Sequence, residues 1–279
     1  LLAVGMTLVI ATRGIDLSVG TIMAICGAVA AWALTQGMGA GAAVALALAA
    51  GLAAGLWNGV LVAVVGIQPF VATLILMTMG RGVAQLITEG RILTFTDPGF
   101  AWIGSGLALG LPVPVWIWLA TALGVAALMR RTALGLLVEA VGINRRAAHL
   151  AGVNATVLLI AVYVASGFCA ALAGIVVAAD IRGADANNAG LWLELDAILA
   201  VVIGGNSLLG GRFSVAASVL GALIIQTIGA GILLAGFAAE YNLIIKAGLV
   251  LVILVLQSPR IAAEWRLWRE SHRAERAQP

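Results

Sequence analysis

Nine apolar runs, separated by short segments that collect most of the charge, constrain this sequence more than any other feature. They fall at about 1–12, 17–36, 40–65, 69–88, 111–129, 156–179, 197–208, 213–236 and 243–257. A helix needs roughly 20 apolar residues to cross a hydrocarbon core about 30 Å thick. Within that core every backbone N–H and C=O must find a partner in the chain, so these runs are expected to be helices. Composition agrees. Of 279 residues, 63% are hydrophobic and 10% charged, against about 25% charged in an average soluble domain. The expectation is an all-α, polytopic transmembrane helical bundle. One membrane domain covers 1–258, including a cytoplasmic loop at 130–155, and a short tail covers 259–279. The run at 197–208 is short and Gly-containing, so it reads as a broken or partial span.

Charge placement sets the orientation. The 130–149 loop carries Arg130, Arg131, Arg145 and Arg146 against Glu139 alone, and the tail carries Arg260, Arg266, Arg269, Arg273 and Arg276. Positive loops stay in the cytoplasm. The 180–196 loop holds Asp180, Asp185, Glu194 and Asp196 against Arg182, and is expected outside, so a label at Ala186 should react from that side. Counting crossings puts the 13–16 turn and the tail inside. Nine crossings that begin outside imply a tenth span before Leu1, where the chain opens within an apolar run that lacks the pattern of a signal peptide. A short echo links VIATRGIDLSVG near the start with VVIGGNSLLGG near residue 201, each a Gly-bearing turn between helices.

No enzymatic constellation emerges. The two histidines, His149 and His272, both lie in cytoplasmic segments, so neither a catalytic triad nor a metal site is expected. GNSLLGGR at 205–212 lacks the Lys-Ser/Thr ending of a phosphate loop, and Lys246 is the sole lysine, so no cofactor or nucleotide site is expected. A net charge of +3, widely scattered, gives no nucleic-acid surface. Cys26 and Cys169 sit in apolar runs and read as small packing residues.

Small and polar residues inside the spans carry more information. Gly51, Gly55 and Gly59 form a ladder on one face, the pattern that lets membrane helices pack backbone to backbone. Gly142 and Gly152 read as helix breaks. Polar groups are costly in lipid, which makes Asn58, Arg81, Gln85 and Gln226 candidates for a substrate pathway. Arg81 and Gln85 are one turn apart on a shared face. In 132–153, Leu136, Ala140, Ile143, Ala147 and Leu150 recur at helical steps, while Glu139, Gly142, Arg146 and His149 form a second stripe. This amphipathic helix either rests on the lipid bilayer or seats in a cytoplasmic partner.

Several segments carry a resemblance. GIDLSVG at 14–20, LWNGVLVA at 56–63, IQPFVATL at 67–74 and EAVGINRRAAHLAGV at 139–153 resemble the sugar-type ATP-binding-cassette importer permeases, the ribose/xylose/galactose group. IRGADANNAGLWLELDAILAVVIGGNSLLGGRF at 181–213 is most similar to the galactofuranose-importing branch of that group. The resemblance implies a bacterial inner-membrane permease of ten helices that forms a dimer with a second permease subunit. It further implies a cytoplasmic ATP-binding subunit, on which hydrolysis occurs, and a periplasmic sugar-binding protein. The ATPase-coupling residues would be Glu139, Gly142, Asn144, Arg145, Arg146, Ala147, Ala148, Ala151 and Gly152. Bulk at Ala148 should then disturb docking. The rival reading is a secondary transporter or facilitator acting alone. Such a carrier usually needs ionisable groups within its spans, and here the acids cluster at span ends, with Asp16 the nearest exception.

Overall fold

The computed structural model describes residues 1–236 and 240–256, so the arginines and histidine expected in the tail lie outside the described residues. The chain divides into two units, residues 1–222 and 223–279.

The first unit opens with α1 (Leu2–Ala11), α2 (Val19–Thr35), α3 (Ala40–Val60) and α4 (Pro69–Ile87), with Leu61–Val65 extending α3 as a π-helical turn. There follow α5 (Pro98–Ser105), α6 (Val113–Arg131), α7 (Ala133–Ile143), α8 (Arg145–Leu150), α9 (Ala155–Ile181) and α10 (Leu193–Ile203). The first turns of α11 (Val215–Leu234) complete the unit. The remainder of α11 and α12 (Glu240–Leu256) belong to the second unit.

Local chemistry sets these boundaries. Gly66 at φ 82° ends the α3 extension, and Pro69 begins α4 where its missing N–H costs nothing. Asp97, Asn144 and Asn154 cap α5, α8 and α9 through their side-chain oxygens. Two short ladders interrupt the helices. Leu93–Thr94 (β1) pairs antiparallel with Gly183–Ala184 (β4), and Leu107–Ala108 (β2) with Leu111–Pro112 (β3).

Among the described residues, five helical stretches are long and apolar enough to cross a membrane: Ala40–Val65, Pro69–Ile87, Val113–Arg131, Ala155–Ile181 and Val215–Leu234. Helix α2, with 17 residues, reaches about 25 Å at 1.5 Å per residue. Helices α1 and α10 are half-length.

Helix α9 is the centre of the first unit, packed against α1, α2, α3 and α5. The glycine ladder makes the α3–α9 contact. A Cβ at Gly55 would lie 2.5 Å from the Tyr163 carbonyl oxygen, and one at Gly51 would lie 2.8 Å from that of Gly167. Gly167 answers from α9, where a Cβ would sit 2.3 Å from the Gly51 carbonyl oxygen. Cys26 and Cys169 are buried free thiols.

The short run near 200 is a half-helix joined to an irregular segment. Strand β4 packs on α2, Ala186 and Ala189 join Ala24, Ile25 and Ala28, and Gly190 meets Gly20. Residues 183–190 thus follow α2 toward its N-terminus, and the distance from Ala28 to Gly20 alone is about 12 Å. Helix α10 then packs on α1, and each is followed by a Gly-bearing loop and a longer helix. The loop after α10 touches the end of α1, where the Gly211 N–H donates to the Ala11 carbonyl at 2.9 Å, and the loop after α1, where Arg13 Nε donates to the Leu209 carbonyl at 2.8 Å. The sequence echo therefore lies on a structurally paired feature.

Candidate functional site

Non-helical backbone among apolar helices needs partners for its polar groups, and α4 supplies them. Gly80 brings α4 against α2, since a Cβ there would lie 2.7 Å from Thr21 Cγ2, while Thr21 Oγ1 donates to the Met77 carbonyl at 3.0 Å. That contact aims the next residue, Arg81, at the irregular segment. Its Nη1 donates to the carbonyls of Ala186 at 2.9 Å and Ala189 at 2.7 Å. One turn on, Gln85 Nε2 donates to Asn187 Oδ1 at 2.8 Å. Arg81 and Gln85 are both half-buried and act on one target.

The segment is also tied internally. Asp185 Oδ1 accepts from the backbone N–H groups of Asn187 and Asn188, and Asp185 Oδ2 accepts from Asn188 Nδ2 at 2.7 Å. The Asn188 amide holds the Asp185 carboxyl below the usual carboxylate range. Gly190 has φ +76°, and a Cβ on it would lie 2.1 Å from the Gly20 carbonyl oxygen. Trp192 at φ 65° turns the chain into α10, whose Glu194 is buried. Arg81 lies in the electrostatic field of Glu194 and Asp185. The result is a surface of amides, carbonyls, one guanidinium and the Asp185 carboxylate, able to hydrogen-bond a polyhydroxyl solute.

The other pathway candidates lie elsewhere. Asn58 is fully buried in a polar chain: its Nδ2 donates to Ser18 Oγ at 2.8 Å, Ser18 Oγ donates to Asp16 Oδ1 at 2.6 Å, and Ser166 Oγ donates to Asp16 Oδ2 at 2.8 Å. Gln226 lies on α11 in the second unit and is exposed. Ala186 is buried, so Asn188 is the better labelling position.

A second site forms at the opposite end of the first unit. The amphipathic segment is two helices, α7 and α8, broken at Asn144, whose side chain accepts from the N–H groups of Arg146 and Ala147 at 3.0 Å each. Its apolar stripe points outward, with Leu136 71%, Ile143 59% and Leu150 87% exposed. Asn144, Arg145, Arg146, Ala147, Ala151 and Gly152 are exposed too, and Glu139 is half-buried. Arg145, Arg146, His149 and Leu150 border a hollow of about 840 Å³ that extends to Thr156.

Two expectations here need correction. The break expected near Gly142 falls two residues on, at Asn144, and Gly142 itself is a packing position in the last turn of α7, where a Cβ would lie 1.9 Å from the Ala11 carbonyl oxygen. Ala148 is buried with Val138, Val141 and Leu158, so bulk there would disturb the chain's own core. Gly152, at φ +87°, does end a helix. One residue outside the candidate list stands out. Arg13, at φ 63°, donates from Nε to the Leu209 carbonyl at 2.8 Å and from Nη2 to the Ile143 carbonyl at 2.7 Å. A lone arginine between two apolar runs was the available signal.

Comparison with known proteins gives the family. Residues 1–254 match the family described as branched-chain amino acid transport system / permease component. The galactofuranose transporter permease protein of Escherichia coli is 62% identical over 260 residues, covering 93% of this chain and 76% of that protein. The fructose import permease protein of Bifidobacterium longum is 45% identical over 94% of this chain and 74% of its own length. The Escherichia coli ribose import permease protein is 42% identical over 93% and 82% respectively. No solved structure matches the chain.

Proposed function

Because this chain belongs to the family of transport-system permease components, we propose that it is the membrane subunit of an ATP-driven importer that brings galactofuranose, or a closely related monosaccharide, into the bacterial cytoplasm. It is a multi-pass inner-membrane protein, and ATP hydrolysis belongs to a separate subunit. The observation that carries the sugar is the 62% identity to a galactofuranose permease over nearly the whole chain.

The geometry supports a division of labour. A sugar is neutral and rich in hydroxyls, and the Arg81–Gln85–Asn187 surface offers hydrogen-bond donors and acceptors beside the Asp185 carboxylate, which Asn187 and Asn188 already hold. Selectivity would reside mainly in a periplasmic sugar-binding protein, leaving the permease a polar path that opens alternately to each side. The outward stripe of Leu136, Ile143 and Leu150, flanked by Arg145 and Arg146, offers an ATP-binding subunit an apolar surface with a basic edge. A second permease subunit would complete the pathway.

A carrier acting alone is the weaker reading, because the relatives that match over nearly the whole chain are sugar-transport permeases. The test is uptake of labelled sugars by cells expressing this permease with its partner subunits. Galactofuranose should enter and be competed poorly by ribose and fructose. Equal uptake of all three, or uptake of none, would refute the assignment.

A further inference from the structure

Three backbone segments meet with no side chain between them. The Gly142 Cα faces the Ala11 carbonyl and the Gly211 N–H, so closely that a Cβ would lie 1.9 Å from the first and 2.8 Å from the second. The Gly211 N–H is hydrogen-bonded to that same Ala11 carbonyl at 2.9 Å. A Cβ at Gly210 would lie 2.5 Å from Arg13 Cγ and 3.0 Å from the Ala11 carbonyl oxygen. The end of α1, the end of α7 and the loop after α10 therefore share one contact point. Arg13 spans it, with Nε on the Leu209 carbonyl and Nη2 on the Ile143 carbonyl. Ile143 ends α7, where carbonyls lack helical partners and a cation is favoured. Arg13 holds this place in the left-handed region, at φ 63°, which non-glycine residues seldom adopt.

We propose that Arg13 is a positioning residue that locks the end of α7 to the loop after α10, so that displacement of the coupling helix α8 is delivered to α10 and thence to the irregular segment held by Arg81. The proposal rests on the importer reading for its functional half. The mechanical line is contiguous. Helix α8 starts two residues after Ile143, the 204–211 loop ends α10, and α10 begins just after Gly190 and Trp192. A planar guanidinium bonded to two carbonyls fixes their separation, which a single ammonium does not. Coupling between distant sites can be carried by such a connected chain of packed elements.

The first test uses hydrogen exchange on the permease in lipid nanodiscs. Arg13→Gln should accelerate exchange in the peptides covering 142–148 and 205–211 together, by about tenfold, as expected for losing a charge-assisted bond at each. Acceleration in only one of them, or in neither, would overturn the lock. The second test uses the complete transporter in proteoliposomes. Arg13→Gln should keep the ATP-binding subunit bound and basal hydrolysis within about twofold, while sugar moved per ATP falls about tenfold. Arg13→Lys should fall between and melt at the wild-type temperature. Wild-type sugar moved per ATP in Arg13→Gln would refute the proposal, as it would in Arg13→Lys if the glutamine variant does not fold. A wild-type complex that shows no substrate-stimulated hydrolysis would instead refute the importer reading, with the exchange result still deciding the lock.

Discussion

Replacing Arg81 by glutamine should loosen the irregular segment before it disturbs anything else. Nη1 of Arg81 holds the carbonyls of Ala186 and Ala189 at 2.9 and 2.7 Å. A hydrogen bond from a charged donor is worth about 1.5–3 kcal/mol, and the lower figure applies because Arg81 is only half-buried. A shorter glutamine keeps one of the two bonds, now as a neutral donor, so the local loss is about 1.5–2 kcal/mol. At 1.4 kcal/mol per factor of ten, this is a rise of roughly 10–30-fold in the opening equilibrium. The segment also keeps its own ties through Asp185, so global unfolding should change little. Hydrogen-exchange mass spectrometry reads this directly. Peptides covering 184–192 should exchange roughly 10–30-fold faster in Arg81→Gln, with α9 unchanged and sugar uptake reduced. Unchanged protection at 184–192 would refute the clamp. Should uptake fall regardless, Arg81 would be acting on the cargo itself.

Three further outcomes follow from the same geometry. Gly55→Ala should cost about 1–3 kcal/mol by overpacking α3 on α9, because its Cβ would approach the Tyr163 carbonyl to 2.5 Å, whereas Gly41→Ala, with nothing within 4 Å, should be neutral or stabilising; equal unfolding midpoints for the two would contradict the packing. Ala147→Trp, on the exposed side of α8, should release the ATP-binding subunit on co-purification while leaving the melting temperature unchanged, and retention of the subunit would remove the docking surface. Asp185 has a folded pKa below its unfolded value, so its contribution is complete above about pH 4 and is lost as pH falls through the depressed folded value; protection of 185–189 should stay flat from pH 7 to 5 and drop below about pH 4, and a drop near pH 6 would exclude Asp185 as the cause.

The helices were legible because their ends are chemically marked. Gly37 and Gly39 precede α3, Gly66 and Pro69 divide α3 from α4, and the apolar runs at 40–65 and 69–88 coincide with the observed helices almost to the residue. The Gly51–Gly55–Gly59 ladder was legible for the same reason, since helical spacing reports a face directly. What spacing cannot report is a partner distant in sequence. The 180–196 segment reads as an acidic surface loop, and Asp185, Asn187 and Asn188 do reach the surface side. Ala186, Gly190 and Glu194 are buried nonetheless, because Arg81, over a hundred residues earlier, satisfies the segment's carbonyls. Similarly, the inward position of Ala148 depends on the turn at Asn144 between α7 and α8, and the close approach at Gly142 depends on Ala11 and Gly211, both distant in sequence. Asn58 reads as a lone polar group in a span; its tie to Ser18 and Asp16 exists only once α2 and α3 are packed.

In the proposed importer, ATP drives transport through a partner subunit, and this chain does not move sugar alone. The most direct measurement is sugar accumulation in proteoliposomes containing the permease, the ATP-binding subunit and the loaded binding protein, with ATP as the only energy source. Galactofuranose should be concentrated inside the vesicles above its external level, with no accumulation when ATP, the ATP-binding subunit or the binding protein is omitted. Entry through the permease alone, either running to equilibrium or following an imposed sodium or proton gradient, would contradict the importer reading.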